Sequence, residues 1–231
     1  MVAIEYLTLP EEVLLLRAFD AKRRFVRREV DNHLIYLVAG LTELLLRARI
    51  SLDTRRYIVA KREEKDDWPE RQPLISIERL IRQLQPLTIE EAFEALLHEN
   101  FLAAEMVAQG LEFKAIVEVS TRRRLGVLRE TCWRLRDEQT LQQLQSRMWE
   151  AGQMETWPDL RSLATFFFGF KSAHFPPEQR AMMSHTYRRW HQQGQEIASM
   201  SSGRLLSADE QNVACLMTCL EAMDKWRTRQ P

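Results

Sequence analysis

Leu7–Leu52 opens LTLPEEVLLL (7–16), crosses a basic span, and continues LIYLVAGLTELLLRARISL (34–52). The first piece predicts a helix start. Thr8 is a capping residue, Glu11 follows it by three, and Pro10 falls in the first turn, where its missing N–H costs nothing. The second piece predicts an amphipathic helix. Leu34, Leu37, Val38, Leu41, Leu44 and Leu45 recur at helical spacing, and Arg47 supplies a cation for the last turn. A short alternating run follows, with Ile50 and Leu52 on one side. Helix, basic link, apolar helix, strand is the order on which the rest of the chain must build.

Working outward, Tyr57–Lys61 extends the strand reading, and KREEKDDWPERQP (61–73) reads as a solvated loop broken by Pro69 and Pro73. Ser76 predicts the cap of a helix to Gln85, with Ile77, Leu80, Ile81 and Leu84 inward and Pro86 ending it. Thr88 with Glu91 repeats the capping box. Ile89, Ala92, Phe93, Leu96 and Leu97 form the next stripe. A further helix is expected from about Phe101 to Gln109, with Gly110 as the residue that turns it off. In EFKAIVEV, Phe113, Ala115, Val117 and Val119 alternate with Lys114, Ile116 and Glu118. STRRR and LGVLR follow, which predicts a hairpin with three arginines at its tip. Helical patterns then run from Asp137 through Trp149, over 160–173, over 178–198 and over 208–227. These readings give a mainly α fold: one globular helical domain over residues 1–231, with short strands and one β-hairpin.

Composition bounds the function. The chain has 231 residues, 7 Gly, 8 Pro and no net charge, so it is long enough for a sizeable core and is not a polycation. The charge is uneven. Residues 17–62 carry 12 Lys/Arg against 5 Asp/Glu, and residues 121–147 carry 7 Arg against 3 acids. Three cysteines predict a reducing compartment without a disulfide framework. No signal-peptide pattern opens the chain. The charge-free run of the apolar helix, Asn32–Thr42, is well short of the ~20 apolar residues that a spanning segment needs. The expectation is a cytoplasmic protein, with peripheral attachment to a membrane open.

The chemistry-bearing patterns are thin. There is no Gly-rich phosphate loop, G-x-S-x-G or H-E-x-x-H in the sequence. The five histidines are dispersed. Cys215 and Cys219 share a helix face but do not make up the four ligands of a zinc shell, so small core residues are the reading. Glu11, Glu12, Glu90 and Glu91 sit where helix N-termini favour acids. Glu43 interrupts an apolar helix four residues before Arg47, which predicts a structural ion pair. The expectation is no enzyme, no cofactor and no metal. Two basic clusters remain: KRRFVRR, with Arg23, Arg24, Arg27 and Arg28, and the hairpin arginines Arg122, Arg123 and Arg124. A solvated face explains either cluster alone. Together they predict binding to an anionic lipid surface, each basic residue near such a leaflet contributing ~1 kcal/mol. Phe25 and Val26 would add a shallow apolar anchor.

LTLPEEVLLL followed by LTELLLRARISL resembles the Golgi phosphoprotein 3 family, and the order of later segments is similar: LISIERLIRQLQP, IEEAFEALLHEN, VAQGLEF, TCWRLRD at the family's turn after its hairpin, and LRSLATFFFGFKSAH. The resemblance implies a peripheral membrane protein acting as an adaptor, with self-association through the hairpin (112–129 here). Eukaryotic members bind phosphatidylinositol 4-phosphate. The resemblance implies phosphoinositide-like headgroups, but aligned on LTELLLRARI the family's pocket Trp falls on Arg28, its pocket Arg on Leu37 and its arginines before the hairpin near Glu99 and Phe101; none is retained in kind, and a generic basic surface is what remains. Two other readings stay open. One is a winged-helix-like nucleic-acid binder, although FLAAEMVAQG offers only Gln109 to base edges, so nucleic acid is not expected. The other is a protein-interaction module with an unknown protein partner.

Overall fold

A computed structural model describes residues 6–19, 25, 33–53, 57–60, 72–99, 104–124, 128–170, 175–200 and 207–229. Among them are nine helices and two small antiparallel sheets, a mainly α domain.

Helix α1 (Leu9–Ala18) is the centre of the molecule. Every residue in it except Arg17 is buried. The predicted capping box forms: Glu11 Oε2 accepts the Thr8 N–H at 2.6 Å and the Thr8 hydroxyl at 2.9 Å. Helix α2 (His33–Leu46) packs on α1. The six predicted leucine and valine positions are buried, but so are Ile35, Tyr36, Ala39, Thr42 and Glu43. The helix is thus covered all round, because it lies between α1 on one side and the last helix on another. Arg47 falls just past the end of α2.

That end is made without glycine. Ala48 takes φ 54°. Its N–H donates to Leu45 O at 2.9 Å, and the Arg49 N–H donates to Leu44 O at 2.9 Å. This is the paired-bond helix stop that usually has Gly in the left-handed position. It delivers the chain to β1 (Ile50–Leu52). β1 pairs with β2 (Tyr57–Ala60), and β2 pairs with β3 (Leu87–Thr88).

Helix α3 (Gln72–Leu84) begins four residues before the predicted cap, so Ser76 is an interior residue. Leu84 is exposed rather than inward, because it sits in the last turn, beyond the packed stripe of Leu74, Ile77 and Ile81. Helix α4 (Ile89–Glu99) starts at the second predicted capping box: Glu91 Oε2 accepts the Thr88 N–H at 2.8 Å.

Helix α5 (Ala104–Phe113) does not stop at Gly110. Gly110 is there for space: a Cβ on it would lie 2.6 Å from Glu11 Oε1. The stop comes five residues later, where Ala115 takes φ 55°. The Ala115 and Ile116 N–H groups donate to Glu112 O (2.9 Å) and Leu111 O (3.0 Å). Phe113 and Ala115 therefore belong to the helix end, and Phe113 is exposed. The hairpin is β4 (Val117–Arg124) with β5 (Leu128–Leu135), displaced toward the C-terminus from 112–129. Arg122–Arg124 are strand residues, and the Thr131–Leu135 part of TCWRLRD is β5, not a following turn.

Helices α6 (Glu138–Gln153) and α7 (Leu160–Gly169) are capped by Asp137 and Asp159, whose carboxylates accept the Thr140 and Ser162 N–H groups. α7 ends before the predicted 173, and residues 171–174 lie outside the described residues. The polar helix α8 (Pro177–Met200) buries only a narrow stripe of Met183, Thr186, Trp190, Gly194 and Ala198. Trp190 sits edge-on to Phe166 at 5.2 Å and stacks with Trp157 at 6.2 Å. Helix α9 (Ala208–Arg229) lies against α8, α2 and α4.

Candidate functional site

Arg23, Arg24, Arg27 and Arg28 lie outside the described residues. Arg122, Arg123 and Arg124 are described in backbone only. They occupy the last three rungs of the hairpin, opposite Glu130, Arg129 and Leu128. Arg129 is the residue that reading the sequence missed. Counting rungs outward from the Val119–Trp133 pair puts it directly across from Arg123, and the signal was within reach once the register was known. Directly opposed like charges destabilise a strand pair. From residue 117 to 136 the arm carries six arginines and two glutamates, a net charge of +4.

The hairpin has two parts. At its base Val117, Trp133 and Leu135 are buried, while Arg134 on the other face is exposed and Arg136 holds a surface ion pair to Glu118 at 3.3 Å. Beyond the Val119–Trp133 rung, Ser120 and Thr121 are exposed. The buried base of the hairpin thus ends at that rung. Four residues of strand separate Val119 from Arg123, about 13 Å.

Phe25 is the described residue of the first basic segment. It bridges Phe19 as an isolated antiparallel pair. Its ring lies 6.3 Å from that of Phe19 and 4.9 Å from that of Trp133. The expected membrane anchor is thus half-buried between α1 and the hairpin: an aromatic side chain has more apolar contact to gain there than at the surface. Val26 lies outside the described residues. Phe25 fixes the middle of KRRFVRR beside the base of the arginine-bearing arm, on the Trp133 face.

Glu11 and Glu43 take the capping and ion-pair roles expected of them, while Glu12 goes beyond capping: through Arg161 it joins Glu43 in one buried polar cluster. Glu12, fully buried, accepts Arg161 Nε at 2.9 Å, the Thr165 hydroxyl at 2.6 Å and Arg147 Nη2. Glu43, also fully buried, accepts the Leu9 N–H at 2.8 Å and Arg161 Nη1 at 3.4 Å, and it pairs with Arg47 as predicted. Lys114 reaches Glu11 at 2.7 Å. Burial alone would lower the Arg161 pKa, and the Glu12 and Glu43 charges overcome it and raise it. These carboxylates are saturated by cations and N–H donors. They are structural clamps between α1, α2, α6 and α7, with none of the free geometry that proton transfer requires.

Among the described residues no group of three His, Cys, Asp or Glu is placed to hold a metal. Cys215 and Cys219 are buried, and burial, with Cys215 alongside, pushes the Cys219 thiol up. No described helix is long and apolar enough to cross a membrane.

The family model of Golgi phosphoprotein 3 (GPP34) matches residues 9–228. No curated protein matches the chain significantly.

Proposed function

The chain belongs to the Golgi phosphoprotein 3 family, and from that premise we propose that it is a non-enzymatic, peripheral membrane-associating domain that binds anionic lipid through a bipartite basic surface. The observation that carries this reading is the arginine-rich hairpin: a net charge of +4 over residues 117–136, with Arg122, Arg123 and Arg124 on rungs beyond the packed base. Phe25 against Trp133 supports a single surface, since the one described residue of KRRFVRR lies against the base of that arm. Arg23, Arg24, Arg27 and Arg28 act with Arg122, Arg123, Arg124 and Arg129. Attraction of about 1 kcal/mol per residue at the leaflet gives reversible attachment from a handful of contacts. A generic charged surface of this kind selects for charge density rather than for one headgroup, so phosphatidylinositol 4-phosphate binds as one anionic lipid among several. The setting is the cytoplasmic face of a membrane, and an adaptor role with self-association through the hairpin goes with it.

Liposome flotation tests the reading. Purified protein floats with vesicles containing phosphatidylserine or phosphoinositide and stays behind with neutral phosphatidylcholine. Raising salt from 0.1 M to 1 M shortens the screening length from ~10 Å to ~3 Å and releases it. Equal flotation with neutral vesicles, or none with any, overturns the proposal. Retention of duplex DNA at low salt in place of vesicles would point to the groove-binding alternative.

A further inference from the structure

A second surface feature lies away from the hairpin. A cleft of about 430 Å³ opens where the start of α7 meets α8 and α9. Trp157, Ile197 and Val213 supply apolar wall, and Asp159, Asp209 and Glu210 supply three carboxylates. Among the described residues that line it, none is basic. The volume is within the range of small-ligand sites.

The parts are held in place. One face of the Trp157 ring is stacked on Trp190, which is fully buried. Asp159 Oδ1 accepts the Ser162 N–H at 3.0 Å, and Glu210 Oε2 accepts the Ser207 N–H at 2.8 Å. Both carboxylates are thus fixed by their own helix starts and need no ordering when a ligand arrives. Burial alone would raise the Asp159 pKa. The Ser162 hydrogen bonds and the nearby Arg147 charge overcome that and keep it ionised. Asp209 is exposed in the first turn of α9. The adjoining ring already takes a cation on its face: the Arg189 guanidinium lies 5.6 Å from the Trp190 centroid.

We propose that this cleft binds an organic cation, a guanidinium or alkylammonium group on an apolar stem, carried either by a free amine or by a basic side chain of a peptide. The indole face and the carboxylates hold the charged head, and Ile197 and Val213 take the stem. The site is independent of lipid attachment and stands or falls separately from it.

Methyl-selective NMR on the full chain provides the test, with butylguanidinium as the probe, pentanol as its neutral counterpart and a capped Leu-Arg-Leu peptide as the protein-borne form. Butylguanidinium should shift the Ile197 and Val213 methyls and pentanol should not. Asp209→Asn should weaken binding by about three- to tenfold. Trp157→Ala should abolish it; because Trp157 also packs on Trp190, Asp209→Asn is the deciding variant if that one fails to fold. Peptide affinity at least tenfold above the free cation would assign the source to a protein, and equal affinities would assign it to a free amine. Equal response to pentanol, no change in Asp209→Asn, or no shift with either cationic probe at roughly 10 mM overturns the site.

Discussion

Glu12 shows what a single buried charge decides. Its carboxylate is fully buried and reaches Arg147 and Arg161, 135 and 149 residues away in the chain. Glu12→Gln keeps the shape but takes from Arg147 and Arg161 the carboxylate they share, leaving Arg161 with the Glu43 carboxylate, so a loss of about 3–5 kcal/mol is expected in urea unfolding. Glu91→Gln, at an exposed cap, should shift the unfolding midpoint far less than Glu12→Gln does. The sequence placed both acids in first turns, and that part was legible, since capping is a matter of neighbours. The destination of Glu12 was not, because its partners arrive from elements whose packing no local pattern encodes. Asp159 gives a pH signature. Its folded pKa is lowered, so its contribution is present above the unfolded value and lost as pH falls through the folded one. Asp159→Asn retains a capping oxygen and removes the charge. Wild type should exceed this variant in stability above about pH 5, and the difference should shrink as pH falls below the unfolded carboxyl value of about 3.9.

At the scale of elements, ends were harder to read than middles. The cap at Thr8, the cap at Thr88 and the stripe of α4 followed from spacing alone. The stops of α2 and α5 did not, because Ala48 and Ala115 do a job that composition assigns to glycine, while Gly110 sits in mid-helix for clearance. Left-handed Ala is costly, and the extra freedom of unfolded Gly offsets part of the gain. Ala115→Gly should therefore raise the unfolding midpoint, with a gain of about 0.5–1 kcal/mol. Gly110→Ala should do the opposite. The new methyl would meet Glu11 Oε1, and moving that carboxylate breaks its 2.7 Å contacts with Lys114, costing about 1–3 kcal/mol. The hairpin makes a third case. Its register was unreadable while the turn was misplaced, and with it went the Arg123–Arg129 rung. Arg129→Glu turns a repelling rung into an attracting one. Hairpin protection in amide exchange should rise, worth about 0.2–1 kcal/mol, while flotation with anionic vesicles falls.

For the molecule as a whole, the mainly α architecture and the family were carried by the order of segments rather than by any one of them. The basic surface was legible as charge but not as geometry: the sequence did not say that Phe25 turns inward and ties one cluster to the base of the other. Trp133→Ala removes that tie. Flotation with anionic vesicles should weaken in this variant with the net charge unchanged, and its steep salt dependence should flatten as the two clusters cease to act together.

The burial of α1 also has a consequence for synthesis. The helix emerges from the ribosome long before the arginines that neutralise Glu12, which lie at 147 and 161. At ~5–20 residues per second the intervening 149 residues take about 7–30 s. For that interval an apolar helix whose side chains are meant for the interior, with an acid that needs guanidinium partners, waits in water. Nascent chains halted before Arg147 should be captured by holding chaperones, and chains halted well beyond Gly169 should be released.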